Sequence, residues 1–304
     1  MYNERRPGAG RDFAGFTEMT VKEPCILMDF LLKMKDGASR SKVKGILSGG
    51  GVLVDGQVVT QYNMPLEAGM VVAVSRRKTA TSERRTSDFM RIVYEDRYLV
   101  VVEKQPGILS MATPHHPFSV KTLLDDHFKK SGQKCNAHVV HRLDRDTSGL
   151  MIYAKSMDCR MRFESDWKGI VYDRRYVALV GGRMERESGT VASWLKDDNQ
   201  FFTHSYPRDI GGCKYAVTHF KTLNVAQKSS LVELRLDTGR KNQIRVHRGD
   251  LGHPVGGDPK YGSGFDPAGR LCLHAIRICF THPYTGERLE FSTPIPKIFR
   301  DNNI

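Results

Sequence analysis

The chain has 304 residues, 39% hydrophobic and 27% charged, which suits one large globular domain with a smaller companion. No run of about 18 apolar residues occurs, so neither a membrane span nor a membrane partner is expected. The formal net charge of +13 points to a polyanionic partner.

Residues 1–20 are polar, contain several glycines and lack the apolar core of a secretion leader; they are expected to be disordered. From Ile26 the apolar rhythm Ile26, Leu27, Phe30, Leu31 and Met34 predicts a helix that Gly37 ends. Ser39 reads as the N-cap of a second short helix, which carries Arg40, Lys42 and Lys44 and buries Val43, Ile46 and Leu47. The glycines at 49–51 stop it. No Gly-Lys-Ser/Thr follows, so they do not read as a phosphate loop. Short strands over 52–54 and 57–59, joined through Asp55-Gly56, and a last strand over 70–74 complete a small unit at 21–75. Residues 76–87 are basic, lack apolar periodicity and read as a linker.

From 88 to 304 strands dominate. They are predicted over 92–96, 99–104, 176–180, 218–223, 231–236, 271–280 and 289–291, with a helix over 121–129. The order is not the alternating strand–helix pattern of a doubly wound nucleotide-binding fold. The expected class is α+β, a mainly antiparallel mixed sheet with few helices behind a small N-terminal α/β domain. Six cysteines, at 25, 135, 159, 213, 272 and 279, form no CxxC pair and no zinc-like cluster with histidines. Scattered thiols fit a reducing cytosol, and neither metal nor cofactor is expected.

The most informative segment is His141-Arg142-Leu143-Asp144-Arg145-Asp146-Thr147-Ser148-Gly149-Leu150. It crowds two carboxylates and two guanidiniums into a polar loop between apolar, strand-like runs. Adjacent guanidiniums favour the ionised form of a carboxylate, and a fixed carboxylate at a strand end serves as a nucleophile or a base. Strand alternation puts Val139, His141 and Leu143 on one face and Val140, Arg142 and Asp144 on the other. Asp144 therefore ends the strand with Arg142 behind it, while Asp146 falls in the turn. Asp, Thr, Ser and Gly also build ordinary turns, which leaves a solvated hairpin as the alternative.

Two further segments belong with it. Tyr176 opens an apolar strand, where its ring either stacks on a nucleobase or fills the core. After a strand ending at Asp237-Thr238-Gly239, a helix from Arg240 would set Lys241, Arg245 and Arg248 on one face. Cations at a helix start oppose the macrodipole and call for an anion, either RNA phosphate or a carboxylate such as Asp144.

Residues 25–75 resemble the RNA-binding module named after ribosomal small-subunit protein four. The matching segments are Ser39-Arg40-Ser41-Lys42, Gly51-Val52-Leu53-Val54-Asp55-Gly56 and Leu66-Glu67-Ala68-Gly69-Met70. This implies RNA contacts at Ser39, Arg40, Lys42 and Lys44. The stretch from about Leu99 to Pro296 resembles the RluA family of RNA pseudouridine synthases. The resemblance rests on the segment at 141–150, on Thr238-Gly239-Arg240 with Gln243-Ile244-Arg245-Val246-His247, and on Gly257-Asp258 with Tyr261-Gly262. Asn242 stands where that family usually has His.

The resemblance implies isomerisation of uridine to pseudouridine without cofactor or metal. Asp144 is then the essential carboxylate, Arg245 its partner, Tyr176 the ring that stacks on uracil and Arg142 the side chain that displaces the base. Substrate contacts are implied at His141, Thr147, Arg240, Gln243 and Leu273, with Ile276 as a further apolar wall. The expected substrate is large-subunit ribosomal RNA, with transfer RNA second, and a cytoplasmic monomer is expected. The competing readings are a noncatalytic RNA-binding assembly protein and a nuclease using Asp144 with Asp146; an Arg-flanked carboxylate pair is a poor divalent site.

Overall fold

A computed structural model describes residues 16–34, 39–48, 51–59, 61–75, 89–262 and 264–303. They fall into two units, Met1–Arg85 and Thr86–Ile304. The linker expected at 76–87, the first fifteen residues, Gly37, Gly49 and Gly50 lie outside the described residues.

In the first unit the chain runs β1 (Phe16–Thr20), β2 (Cys25–Ile26), α1 (Leu27–Met34), α2 (Arg40–Ser48), β3 (Val52–Val54), β4 (Gln57–Val58), β5 (Pro65–Leu66) and β6 (Val71–Ser75). The helical rhythm has its physical reason in the core. Leu27, Met28 and Leu31 from α1 meet Val43, Ile46 and Leu47 from α2 over Val52, Val54, Val72 and Val74 of the sheet. The sheet order is β1-β6-β3-β4. Asp55 and Gly56 both take positive φ, 48° and 81°, the backbone of a two-residue hairpin turn. One expectation is corrected. Phe16–Thr20, read as part of a disordered start, pairs along its whole length with β6. A five-residue strand with two threonines shows little periodicity of its own, and the free edge of β6 supplies the partners.

The second unit runs β7 (Met90–Glu95), β8 (Leu99–Lys104), α3 (Val120–Lys130), β9 (His138–Val139), β10 (Ser148–Ala154), α4 (Met157–Ser165), α5 (Trp167–Ile170), β11 (Val171–Gly181), β12 (Ser188–Asp197), β13 (Thr203–Tyr206), β14 (Lys214–Val225), β15 (Ser229–Leu236), α6 (Gln243–Asp250), β16 (Leu273–Thr281), β17 (Arg288–Ser292) and α7 (Lys297–Asp301). Eleven strands form one sheet in the order β13-β12-β14-β15-β11-β16-β10-β8-β7, with β17 beside β16 and β9 beside β10.

Both faces of the sheet centre are covered. Val100, Val102, Met151 and Tyr153 pack with Val120, Leu124 and Phe128 of α3. Leu99, Val101, Leu150 and Ile152 pack with Cys159 and Phe163 of α4. This is the period-two alternation of strands buried on both sides. Every pairing in the sheet is antiparallel except β10 with β16, which runs parallel over Ser148↔His274 and Gly149↔Ala275. There the chains approach so closely that a Cβ on Gly149, whose φ is +117°, would lie 2.3 Å from the Ala275 carbonyl oxygen. Only glycine fits this point of the loop motif.

Two local expectations change. The strand before Asp144 is only His138–Val139, and residues 140–147 follow an irregular path. Helix α6 begins at Gln243 rather than Arg240, because Asn242 sits in the left-handed region at φ 53°. Lys241 is thus off the helix, where it pairs with Asp197 at 2.8 Å. Arg248 is buried rather than on a surface face, with its guanidinium 5.3 Å from the Phe220 ring.

Candidate active site

The irregular loop at 140–147 is held by side chains in place of strand partners. The Ser110 hydroxyl donates to the Leu143 carbonyl at 2.7 Å and accepts from the Leu143 amide at 3.1 Å. The fully buried Lys104 donates to the carbonyls of Gln105, Ile108 and Arg145 at 3.0, 2.8 and 2.7 Å. Burial pushes the Lys104 ammonium down to about 7, against the opposing pull of Asp146 and Asp144. The Thr147 amide closes the turn on the Asp144 carbonyl at 3.2 Å. These bonds tie down the loop while Leu143 is buried and Asp144 faces outward, its side chain 28% exposed. Asp146 pairs with its exposed neighbour Arg145.

Arg245, on α6, approaches Asp144 from 101 residues further along the chain, Nη1 to Oδ2, at 3.5 Å. Its principal partner is another residue. Nε and Nη2 make a two-pronged contact with Asp258, each at 2.7 Å, and Nη1 also donates to Asn242 Oδ1 at 3.0 Å. Burial works to raise the Asp258 carboxyl, but the Arg245 hydrogen bonds and charge outweigh it and hold the group below its ordinary value. Arg245 also lies over the Tyr261 ring at 5.2 Å. The Tyr261 hydroxyl accepts from Asn242 Nδ2 at 3.2 Å and from the Thr203 amide at 2.9 Å. The guanidinium is thus fixed on three sides, and the nitrogen nearest the catalytic candidate is the one held by Asn242.

Two adjoining cavities meet at Asp144. The larger, about 490 Å³, is lined by His141, Arg142, Trp167, Arg174, Tyr176 and Arg240 among others. The smaller, about 60 Å³, is lined by Thr147, Tyr176, Gln243, Arg245 and Leu273. Asp144, Arg142, Tyr176 and Arg240 border both. Nine of the ten residues the resemblance assigns to the site therefore surround one depression. Ile276 does not; it packs against the core.

The individual side chains differ in what they offer. Tyr176 is buried, and burial raises its hydroxyl, with Arg174 opposing and Asp144 reinforcing, so the phenol stays neutral. Arg142 is exposed at the rim. Burial pushes His141 down to about 3, and its Nε2 accepts from the Ile152 amide at 3.1 Å, so it is a neutral imidazole tied to β10. Gln243 corrects an expectation. Its carbonyl accepts from the Arg240 amide and the Thr238 hydroxyl, and its amide donates to Val217 and Thr218. The four bonds use its whole capacity, leaving none for a substrate. It fixes the turn instead.

Sequence reasoning missed Asp258, Lys104, Ser110, Arg174 and Trp167. Asp258 had a signal, since it lies in the Gly-Asp-x-x-Tyr-Gly segment already singled out. Lys104 had a weaker one, a lysine at the end of an apolar strand. Nothing local marks Ser110 or Trp167, because their relation to the loop is purely tertiary. Arg174 lies 5.2 Å from the Trp167 ring. In the first unit, Ser39 and Arg40 are exposed, and Arg40 lies 3.8 Å from Asp29. Lys44 sits over the Tyr62 ring at 4.6 Å. The Lys42 side chain is outside the described residues.

The RNA pseudouridylate synthase family matches residues 98–249, and the S4 domain matches 27–72. The uncharacterized RNA pseudouridine synthase YjbO of Bacillus subtilis is 36% identical over 266 residues, covering 86% of this chain and 93% of that protein. The chain belongs to the RluA-type RNA pseudouridine synthases. Ribosomal large subunit pseudouridine synthase D of Vibrio cholerae is 32% identical, over 85% of this enzyme and 84% of its own length. Among solved structures, human RNA pseudouridylate synthase domain containing 1 superposes with TM-score 0.55 at 26% identity, covering 68% of this chain and 84% of that one. The enzyme is accordingly an isomerase acting on uridine in RNA, with an S4 RNA-binding domain at its N-terminal side.

Proposed function

We propose that this synthase converts a uridine of large-subunit ribosomal RNA to pseudouridine, with Asp144 as the carboxylate that acts on the ribose. The observation that carries the reading is the placement of Asp144. It is the carboxylate where the two cavities meet, within reach of one nitrogen of a guanidinium whose other contacts are fixed by Asp258 and Asn242. An anion so placed is oriented without being neutralised, since the shorter bonds of Arg245 go to Asp258.

In the reaction the bond from N1 to the ribose C1′ breaks and the uracil turns. C5 then bonds to C1′, C5 loses its proton and N1 gains one, so the atoms balance without a cofactor. Asp144 either attacks C1′ or removes a ribose proton; both routes need its ionised form. Tyr176 supplies a neutral ring against which uracil stacks. Arg142, exposed at the rim, takes the place of the base as it leaves its neighbours. The N-terminal S4 domain adds cations for RNA phosphates through Arg40 and Lys44. The large-subunit target is supported by the Vibrio relative, whose name carries that substrate.

The deciding experiment is Asp144→Asn assayed on ribosomal RNA from cells lacking the gene, with pseudouridines mapped. The variant is expected to bind RNA and to form no pseudouridine. Wild-type activity in the purified variant would overturn the assignment. Modification confined to transfer RNA would move the substrate and leave the chemistry intact.

A further inference from the structure

The turn between β12 and β13 carries a side chain that folding does not explain. Phe201 is 72% exposed, and its backbone lies in the left-handed region at φ 59°. That conformation crowds any residue with a Cβ, and for a bulky one it persists only when its surroundings impose it. Here they do. Asp198 accepts from the Gln200 and Phe202 amides through Oδ1, and its backbone carbonyl accepts from the Phe201 amide. The Phe201 carbonyl accepts from Lys241 Nζ at 3.0 Å and from Lys260 Nζ at 2.6 Å. The result is a rigid turn that holds an aromatic ring out in water.

The position of the turn gives the ring a purpose. Lys241 touches the Phe201 carbonyl, lies 5.4 Å from its ring and lines the same cleft as Asp144 and Tyr176. The cleft continues past Gly239, Arg240 and Lys241 into another cavity of about 390 Å³, which Lys196 and Lys214 also line. The carboxylates at this end are already engaged. Asp197 pairs with Lys241 and accepts from Thr203, and Asp198 pairs with His204 and the turn amides. A cationic track with an exposed ring at its rim suits a single-stranded nucleic acid, in which phosphates follow the cations and a base stacks on the ring.

We propose that Phe201 is a stacking platform for a nucleobase flanking the target uridine, and that the adjoining phosphates run along Lys196, Lys214 and Arg240. The inference rests on the reading of the Asp144 cleft as the place where RNA is held. Phe201 touches no reacting atom; it fixes the register of the strand that delivers the uridine.

The test uses the full chain, a fluorescein-labelled twelve-nucleotide oligouridylate and transcribed large-subunit ribosomal RNA. Phe201→Ala is expected to weaken oligouridylate binding about tenfold, as loss of one base–aromatic stack does. It should raise KM on the ribosomal transcript by a similar factor while leaving kcat within about twofold. Phe201→Trp should restore binding, and RNA should quench its emission beyond the change seen with Trp167 and Trp194 in the wild type. Phe201→Gly removes the backbone crowding, so it should raise Tm while binding RNA as poorly as the alanine variant. Lys214→Ala should reduce the slope of log Kd against log salt by about 0.7. Wild-type RNA affinity in Phe201→Ala, with no added quenching in Phe201→Trp, would overturn the platform. A wild-type enzyme that binds the oligonucleotide through Phe201 and makes no pseudouridine would overturn the catalytic reading alone.

Discussion

Arg245 gives Asp258 two hydrogen bonds of 2.7 Å and leaves Asp144 a single contact of 3.5 Å. The guanidinium is anchored by one carboxylate so that it can be aimed at another. A buried ion pair with this geometry contributes more to placement than to net stability, and its importance appears when one member is lost.

Asp258→Asn should therefore act on both fold and rate. Removing one charge of a buried pair costs about 3–5 kcal/mol, and a freed Arg245 shifts toward Asp144. Urea unfolding is expected to show that loss, and kcat should fall about a hundredfold, as misplacement by an ångström does. A variant with wild-type kcat would show that the aim of Arg245 is unimportant.

Asn242→Gly separates backbone from side chain. Glycine adopts the φ of 53° freely, so the start of α6 is kept. The acceptor that holds Arg245 Nη1 is lost. The expected outcome is a stability change of about 1 kcal/mol with kcat lowered about tenfold. Unchanged kcat would remove Asn242 from the positioning of the guanidinium.

Lys104→Met leaves the Gln105 and Ile108 carbonyls without their donor and the Arg145 carbonyl with the Gly107 amide alone. Each unsatisfied buried group costs about 1–3 kcal/mol, partly relieved as the loop relaxes. Thermal unfolding should show a loss of about 3 kcal/mol. Hydrogen exchange at Gly107 and Thr147, whose amides bond to the Arg145 and Asp144 carbonyls, should rise in the folded state, and exchange as slow as in wild type would contradict the bracing role.

Glu95 sets an acid limit. Burial works to raise its carboxyl, but hydrogen bonds from Lys155, Gln133 and His127 bring it down to about 2. A carboxyl depressed in the folded state stabilises the protein above its ordinary value of 4.5, and that contribution fades as pH falls toward 2. Glu95→Gln should lower stability at pH 7 by about 2 kcal/mol, after allowance for solvent screening. It should also flatten the loss of Tm between pH 5 and 3. A variant whose Tm falls with acid as steeply as wild type would assign the limit to other groups.

The sequence is legible where local chemistry and tertiary structure agree. The Asp55-Gly56 turn, the helix of Val120–Lys130, and the buried strands β8, β10 and β16 all follow their patterns. Strand β12 does not, because only Ser193 and Leu195 of its ten residues are buried. Helix α4 escapes for the same reason, with Cys159 and Phe163 as its buried side. At the site, the charge pattern of the loop marks Asp144 and the family resemblance adds Tyr176 and Arg245, and the structure places them around one depression. Neither the pattern nor the resemblance hints that Gln243 is saturated or that Arg245 has a closer partner than Asp144. Both facts depend on segments brought in from elsewhere, Thr218 on β14 and Asp258 after α6.

The parallel seam between β10 and β16, Ser148 and Gly149 against His274 and Ala275, also bears on the order of assembly. The β7–β8 hairpin and β10 are complete early in synthesis, but their neighbour β16 emerges more than a hundred residues later. The guanidinium that faces Asp144 is similarly late. A ribosome-bound chain thus exposes its carboxylate before anything aims it, and closing so distant a contact is slow. Nascent fragments of the enzyme should accordingly form no pseudouridine until the last strands dock.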